Sequence, residues 1–363
     1  MAHVATITID HTKVPGDLTD YVGLIVPDAS AGYSALYALC LEGGGDIRLF
    51  KSDDTTELAR EIVTFSVTDE TGEIHYKYSG TLSSSVDTDI HVYADGSSSD
   101  YAVGATYGRN AVWSAYGLVS HDGGGTDSTG NGNTGTGRGG ITIGGATGKM
   151  GEATTFDGSN DGITIAHSAS INVGALLDSY TISVWSKNNS GSTLQSLMSK
   201  FDAGASSNVD KLPFLHLFNW TTNGKLGTGY RGTNGTFRPI QNTATGLNDN
   251  SWVYSGFIHD GNLSQVKSFV NDDSFVTETR AVVGTTMENT SAITIGYLDN
   301  NGTLGQYFPG DIDEIRLIKI AISQDWKDAE YNNQNSYSTF YSVAAVGGGS
   351  AAQAARRGVI MMM

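Results

Sequence analysis

Cysteine is almost missing from this chain: Cys40 is the only one in 363 residues, so no disulfide can form within it. It sits in the apolar run ALYALC, where a small buried hydrophobe is expected rather than a nucleophile. Proline is scarce, with five residues, and charged residues make up only 16%. The polar surface must therefore come from Ser, Thr, Asn and Gly. No apolar stretch approaches the roughly 18 residues that a membrane helix needs. Basic clusters are lacking too, Arg356-Arg357 being the only adjacent pair, and the net charge is −17. Nucleic acid and anionic lipid both need clustered Lys and Arg, so neither is an expected partner.

Catalytic spacings are equally sparse. The eight histidines contain no His-x-x-x-His pair, which leaves a zinc-enzyme motif without support. No G-x-S-x-G elbow presents a serine. The glycines of GRGGITIGGATGK lead to Met150, where a phosphate-binding loop needs Ser or Thr. The opening MAHVATITIDH has no basic and apolar leader, so export by a signal peptide is not expected. Asn-x-Ser/Thr sequons, at Asn219, Asn234 and Asn262 for example, arise by chance in a chain of this composition.

What is present reads as β-structure. Hydrophobic residues make up 39%, enough for packed cores, and the length has room for two. The acidity is uneven: residues 1–105 carry −12 and the remainder −5. VATITID alternates, with Val4, Thr6 and Thr8 on one face and Ala5, Ile7 and Ile9 on the other. YVGLIV, DIRLF, EIVTFSV, GEIHYKY and TDIHVYAD follow at intervals of about ten residues, which predicts antiparallel strands. SALYALCL (Ser34–Leu41) reads as a short helix. Between Gly123 and Gly151, 13 of 29 residues are glycine, and positive-φ turns explain them better than a free tether. FDGSNDGITI (Phe156–Ile165) and PGDIDEIRLIKIAIS (Pro309–Ser323) are two alternating segments with acidic turns. They are expected as the first and last strands of one sandwich. SQDWKDAEYNNQ then predicts a terminal helix with Ser323 as N-cap.

Two resemblances order these pieces. ITIDHTKVPGDLTDY, GGDIRLFKSDDTTELAREIV, TGEIHYKY and SSSVDTDIHVYAD resemble, in order and spacing, the domain family DUF2341, to which no chemistry is assigned. DSTGNGNTGT, GKMGEATTFDGSNDGITI, TISVWSK, then Trp252, VNDDSF, ITIG and GDIDEIRL resemble a laminin-G-like, concanavalin A-like domain. One departure is Gly162, where that family usually has an aromatic after FDGxxD. The expected fold is all-β: two tandem antiparallel sandwiches, the second a concanavalin A-like jelly roll, with a short C-terminal helix and tail. The expected boundaries are 1–107, 108–342, and 343–363 for a Gly-rich hinge and apolar tail. The tail is either disordered or a peptide that docks on a neighbouring subunit.

The resemblance implies site residues. Related glucanases carry Glu-x-Asp-x-x-Glu on one strand as nucleophile and acid. Here Asp311, Asp313 and Arg316 leave that set incomplete, and no enzyme is expected. Concanavalin A-like domains often hold a structural Ca²⁺, which maps here onto Asp157, Gly158 and Asp313. Glycan contact maps onto Trp220, Tyr230, Arg231 and Phe237 in or beside loops, with core or subunit contact as the competing role. The function expected from all this is a non-catalytic phage virion surface protein, a fibre, spike or capsid-decoration component. Its partners would be other virion subunits, further copies of itself and a cell-surface glycan. A secreted glycan-binding module or glycoside hydrolase-like enzyme is the alternative.

Overall fold

The computed structural model describes residues 1–175, 178–188, 194–202, 211–218, 224–231, 237–242, 244–245, 247, 249–279, 288–300 and 302–346. Two compact units emerge: Met1–Trp113 together with Asp328 onward, and Ser114–Lys327. The expected boundary at 107/108 thus moves to 113/114. The expected boundary at 342/343 falls inside a strand, Tyr341–Ala345, that belongs to the first unit. The reason is hydrogen bonding: Tyr341–Ala345 runs antiparallel to Ala2–Ile9, with Ile7 opposite Val343. The docking tail lies outside the described residues.

In the first unit seven antiparallel strands follow the order Tyr341–Ala345, Ala2–Ile9, Thr88–Ala94, Arg48–Lys51, Glu57–Ser66, Thr71–Lys77 and Val22–Ile25. Period-two alternation buries Ile7, Ile9, Ile90 and Val92 on one side. The edge strand Val22–Ile25 is closed by Asn333, whose side-chain amide accepts from Leu24 N at 2.7 Å and donates to Leu24 O at 2.9 Å. A single side chain thereby replaces the missing neighbour strand. The predicted helix in SALYALCL spans Ser34–Leu39.

The second unit is a sandwich. One sheet orders Gly135–Arg138, Gly162–Ile165, Ile293–Ile295, Gln195–Asp202, Lys211–Phe218, Leu226–Arg231 and Phe237–Gln241. The other orders Ala146–Thr147, Glu152–Asp157, Pro309–Ile318, Tyr180–Asn188, Trp252–Asp260, Gln265–Val270 and Val276–Thr279, with Tyr116–Ser120 also pairing to Pro309–Ile318. Phe156, Ile163, Ile182, Phe214, Phe257 and Ile315 fill the space between. FDGSNDGITI is two strands in opposite sheets joined by a turn. Phe156 in its first half lies opposite Gly310 of PGDIDEIRLI, which is the last strand of the unit as expected, but three strands precede FDGSNDGITI, so it is not the first. Of the thirteen glycines between 123 and 151, eight have positive φ, which makes the stretch a series of turns. At Gly123 a Cβ would stand 2.2 Å from Ile312 O, so only glycine permits that approach.

The helix Gln324–Asn335 starts as predicted, Ser323 Oγ accepting from Trp326 N at 3.1 Å. Among the described residues no helix is long and apolar enough to cross a membrane.

Candidate functional site

Strand Pro309–Ile318 carries the acidic motif, and its geometry settles what those acids do. Opposite Ser183 and Trp185 the register slips, a bulge that puts Glu314 in the left-handed region at φ 49°. Alternation breaks there, so Asp313 and Glu314 are both buried. Asp313 Oδ2 accepts from Lys149 N at 2.7 Å and Met150 N at 3.0 Å, while Oδ1 accepts from Glu314 N at 2.7 Å. Glu314 accepts from Arg316 Nη2 at 2.5 Å and is bonded to His121 Nδ1 through its other oxygen. Asp311 binds Lys187 Nζ and Thr155 Oγ1, each at 2.7 Å. Each of the three carboxylates is occupied in holding the fold.

The calcium set does not assemble. Asp157 pairs with Pro309, four positions from Asp313, which separates the two by roughly 13 Å along the strand. Asp157 Oδ1 instead accepts from Ser159 N, Asn160 N and Asp161 N at 2.8–3.2 Å, and those amides hold its carboxyl below the usual range. Gly158, at φ 72°, has Pro309 where a side chain would stand, 2.8 Å from an added Cβ. Ca²⁺ needs about six to eight converging oxygens. Two separated carboxylates already engaged by amides do not fit it.

The glycan set is corrected as well. Tyr230 is 3% exposed, inside the core between the sheets, because Leu226, Thr228 and Tyr230 share the inward face of their strand. Its ring cannot stack on a sugar. Arg231 and Phe237 are opposite each other on paired strands, and their side chains lie outside the described residues, as does the whole of Trp220.

A different aromatic surface is present. Tyr297 and Tyr307 lie nearly parallel, with centroids 6.3 Å apart and an interplanar angle of 19°. The Arg138 guanidinium stands 4.8 Å from the Tyr297 ring centre and donates to Tyr307 Oη at 3.1 Å. Thr164 Oγ1 and Tyr297 Oη share a hydrogen bond of 2.7 Å. Tyr297 is the buried base of this stack, while Arg138 and Tyr307 are half-buried above it. Gly162 makes room: a Cβ there would meet the Tyr297 ring at 2.3 Å. The sequence signal was that glycine, standing where the family usually has an aromatic; a ring from the bend after strand Ile293–Ile295 fills the place. A separate shallow pocket of about 470 Å³ is lined by Ser179, Asp260, Asn262, Leu263, Lys319 and Ile320. Its Lys319 donates to Ala169 O and its Asp260 pairs with Lys267, so neither charge is directed at a ligand.

Residues 157–326 match the family described as the concanavalin A-like lectin/glucanases superfamily. The domain they form is mostly β and concanavalin A-like. Among solved structures, the binding domain of Paraclostridial Mosquitocidal Protein 1 is 15% identical with TM-score 0.47, over 57% of this chain and 49% of that one. Domain 4 of AbnA, a GH43 extracellular arabinanase from Geobacillus stearothermophilus, in complex with arabinotriose, is 19% identical with TM-score 0.43, over 59% and 98%. A Ruminococcus gnavus IT-sialidase CBM40 is 20% identical with TM-score 0.35, over 46% and 95%. The chain spans about half the length of the first solved structures it matches. No curated protein matches it.

Proposed function

We propose that this chain is a non-catalytic virion surface protein whose second unit binds carbohydrate through the Arg138–Tyr297–Tyr307 surface. The observation that carries the glycan part is the half-buried Tyr307 ring, held parallel to the buried Tyr297 and hydrogen-bonded to the half-buried Arg138 guanidinium. Such a face offers stacking to a pyranose and donors to its hydroxyls. The family match over residues 157–326 supports the same reading. The non-catalytic part is supported by the occupied carboxylates of Asp311, Asp313 and Glu314, which leave no nucleophile and acid facing each other. The low-charge Gly-, Ser-, Thr- and Asn-rich surface and the buried Cys40, its thiol pushed up to about 12 by burial, accord with an extracellular particle. In this reading the first unit is a DUF2341-like domain, and the partners are other virion subunits and further copies of the chain.

A glycan array followed by titration of the best ligand tests the binding. Tyr307→Ala is expected to weaken it roughly tenfold, and Arg138→Met similarly. An array without any binder, or a binder indifferent to both substitutions, overturns the site. Co-sedimentation with purified virions tests the location, and finding only free protein overturns that part.

A further inference from the structure

Two imidazoles and a carboxylate converge on the half-buried face of the first unit's sheet. His91 lies on strand Thr88–Ala94, whose alternation buries Ile90 and Val92 and turns His91 and Tyr93 the other way. His3 reaches the same face by an irregularity. Along Ala2–Ile9, Tyr93 opposes His3 but Val92 opposes Ala5, so Val4 is an extra residue. Without that bulge His3 would share the buried side of Ala5, Ile7 and Ile9. With it, the His3 ring lies 4.3 Å from that of His91 and 5.0 Å from that of Tyr93, centre to centre. Asp54 comes from the turn after Arg48–Lys51 and holds a left-handed φ of 55°, uncommon for a residue with a side chain.

The hydrogen bonds already orient the donors. His3 Nε2 is 3.0 Å from Ala5 O, to which it donates, and this leaves the Nδ1 lone pair of a neutral ring. Asp54 Oδ1 lies 2.5 Å from His91 Nδ1 and accepts from Tyr93 Oη at 2.8 Å. The carbonyl of Ala5 backs the His3 ring as an outer partner does, whereas between His91 Nδ1 and Asp54 Oδ1 a bound ion takes the place of the shared proton, which leaves to solvent. One nitrogen from each ring and one Asp54 oxygen all lie within 4.8 Å of one another. An ion with bonds of about 2.0–2.2 Å can reach all three after small side-chain rotations.

We propose that His3, His91 and Asp54 bind one divalent transition-metal ion of the zinc class. Two nitrogens and one oxygen select such an ion over Ca²⁺ or Mg²⁺, which prefer oxygen alone. Bound there, it ties the first strand to strand Thr88–Ala94 and to the turn that carries Asp54.

The test uses the tag-free full chain, stripped with chelator and titrated with zinc chloride by calorimetry and by NMR of the histidine rings. One equivalent should bind, shifting the His3 and His91 ring signals together. His3→Gln and His91→Gln should each weaken binding by at least about tenfold. His11→Gln, in the separate Asp10–His11–Asp87 group, should leave it unchanged. The proposal fails if zinc does not bind at one equivalent, if it shifts His11 rather than His3 and His91, or if both glutamine variants bind as the parent does. Should a variant not fold, the ring signals of the unmodified chain decide alone.

Discussion

Aspartates collect backbone amides in both units, Asp46 taking Leu41 N, Asp95 N and Gly96 N in the first, but among the described residues only the first adds a pair of arginine clips stacked on one tyrosine. In the first, Arg48 and Arg60 bridge the segment before strand Arg48–Lys51 and the loop around residues 95–101 by donating to backbone carbonyls: Arg60 Nε to Ile47 O at 2.5 Å, Arg48 Nη2 to Ser99 O at 2.8 Å, and both to Gly45 O. Tyr101 lies beneath both guanidinium groups, 4.1 and 5.6 Å from their centres. In the second, carboxylates collect backbone amides. Asp122 takes Gly125 N and Thr126 N, Asp127 takes Thr129 N and Asn133 N, and Asp313 takes Lys149 N and Met150 N. Amides converge on one oxygen only where the backbone makes unusual turns, and the second unit is where the chain concentrates its positive-φ glycines. The glycine-rich stretch and the buried aspartates are two halves of one device.

An orphaned buried N–H is rarer, and so worse tolerated, than an under-satisfied carbonyl. Losing an aspartate clip should therefore cost more than losing an arginine clip. Asp313→Ala is expected to destabilise the second unit by on the order of 3 kcal/mol, and hydrogen exchange at the Lys149 and Met150 amides should accelerate to match. Adding Ca²⁺ to chelated protein should leave the melting temperature of either form unchanged. Arg60→Met leaves carbonyls unpaired and Asp100 alone, and about 2 kcal/mol is expected, measured on the first unit's amides. If it equals or exceeds the Asp313 effect, the contrast fails.

Acid should separate the units further. His216 is wholly buried with Nε2 2.8 Å from Ser255 Oγ, and burial pushes its pKa down to about 3 from 6.5. Unfolding lets the ring take up a proton, so stability is full above 6.5 and falls between 6.5 and about 3. The slope is at most about 1.4 kcal/mol per pH unit. His216→Phe should flatten that part of the second unit's stability curve; an unchanged slope would show that another group titrates there. The smallest effect belongs to Asp53 and Asp95, whose exposed carboxyls are held down by hydroxyl and amide donors of Thr56 and Ser98. Their contribution is present above the ordinary aspartate range and lost only as pH falls well below it. Exchange at the Thr56 and Ser98 amides should then quicken without global unfolding.

Period-two patterns made the strands legible, including PGDIDEIRLI as the last of its sandwich, whereas its pairing with Glu152–Asp157 is a matter of sheet order that periodicity does not carry. Ser323 announced its helix by cap chemistry alone. Failures cluster where the period breaks or the partner is distant. The bulge at Glu314 buried two adjacent acids that alternation had set on opposite faces, and the extra Val4 turned His3 away from the buried side it would otherwise share. KLGTGYRG is a strand as read, but which face Tyr230 takes depends on the sheet it joins, and that face is the core. Tyr297 and Tyr307 offered no motif, because what joins them to Arg138 is sheet order rather than sequence spacing. Nothing local in YSVAA says that its neighbour is residue 7.

That last pairing sets a timetable. A ribosome releases Ala2–Ile9 first and Tyr341–Ala345 only after the roughly two hundred residues of the second unit have emerged. At some 5–20 residues per second, the first sheet waits on the order of ten to forty seconds with one side unpaired. The inserted sandwich, whose strands are all its own, can fold during that interval. The domain that starts the chain is thus the last to be finished.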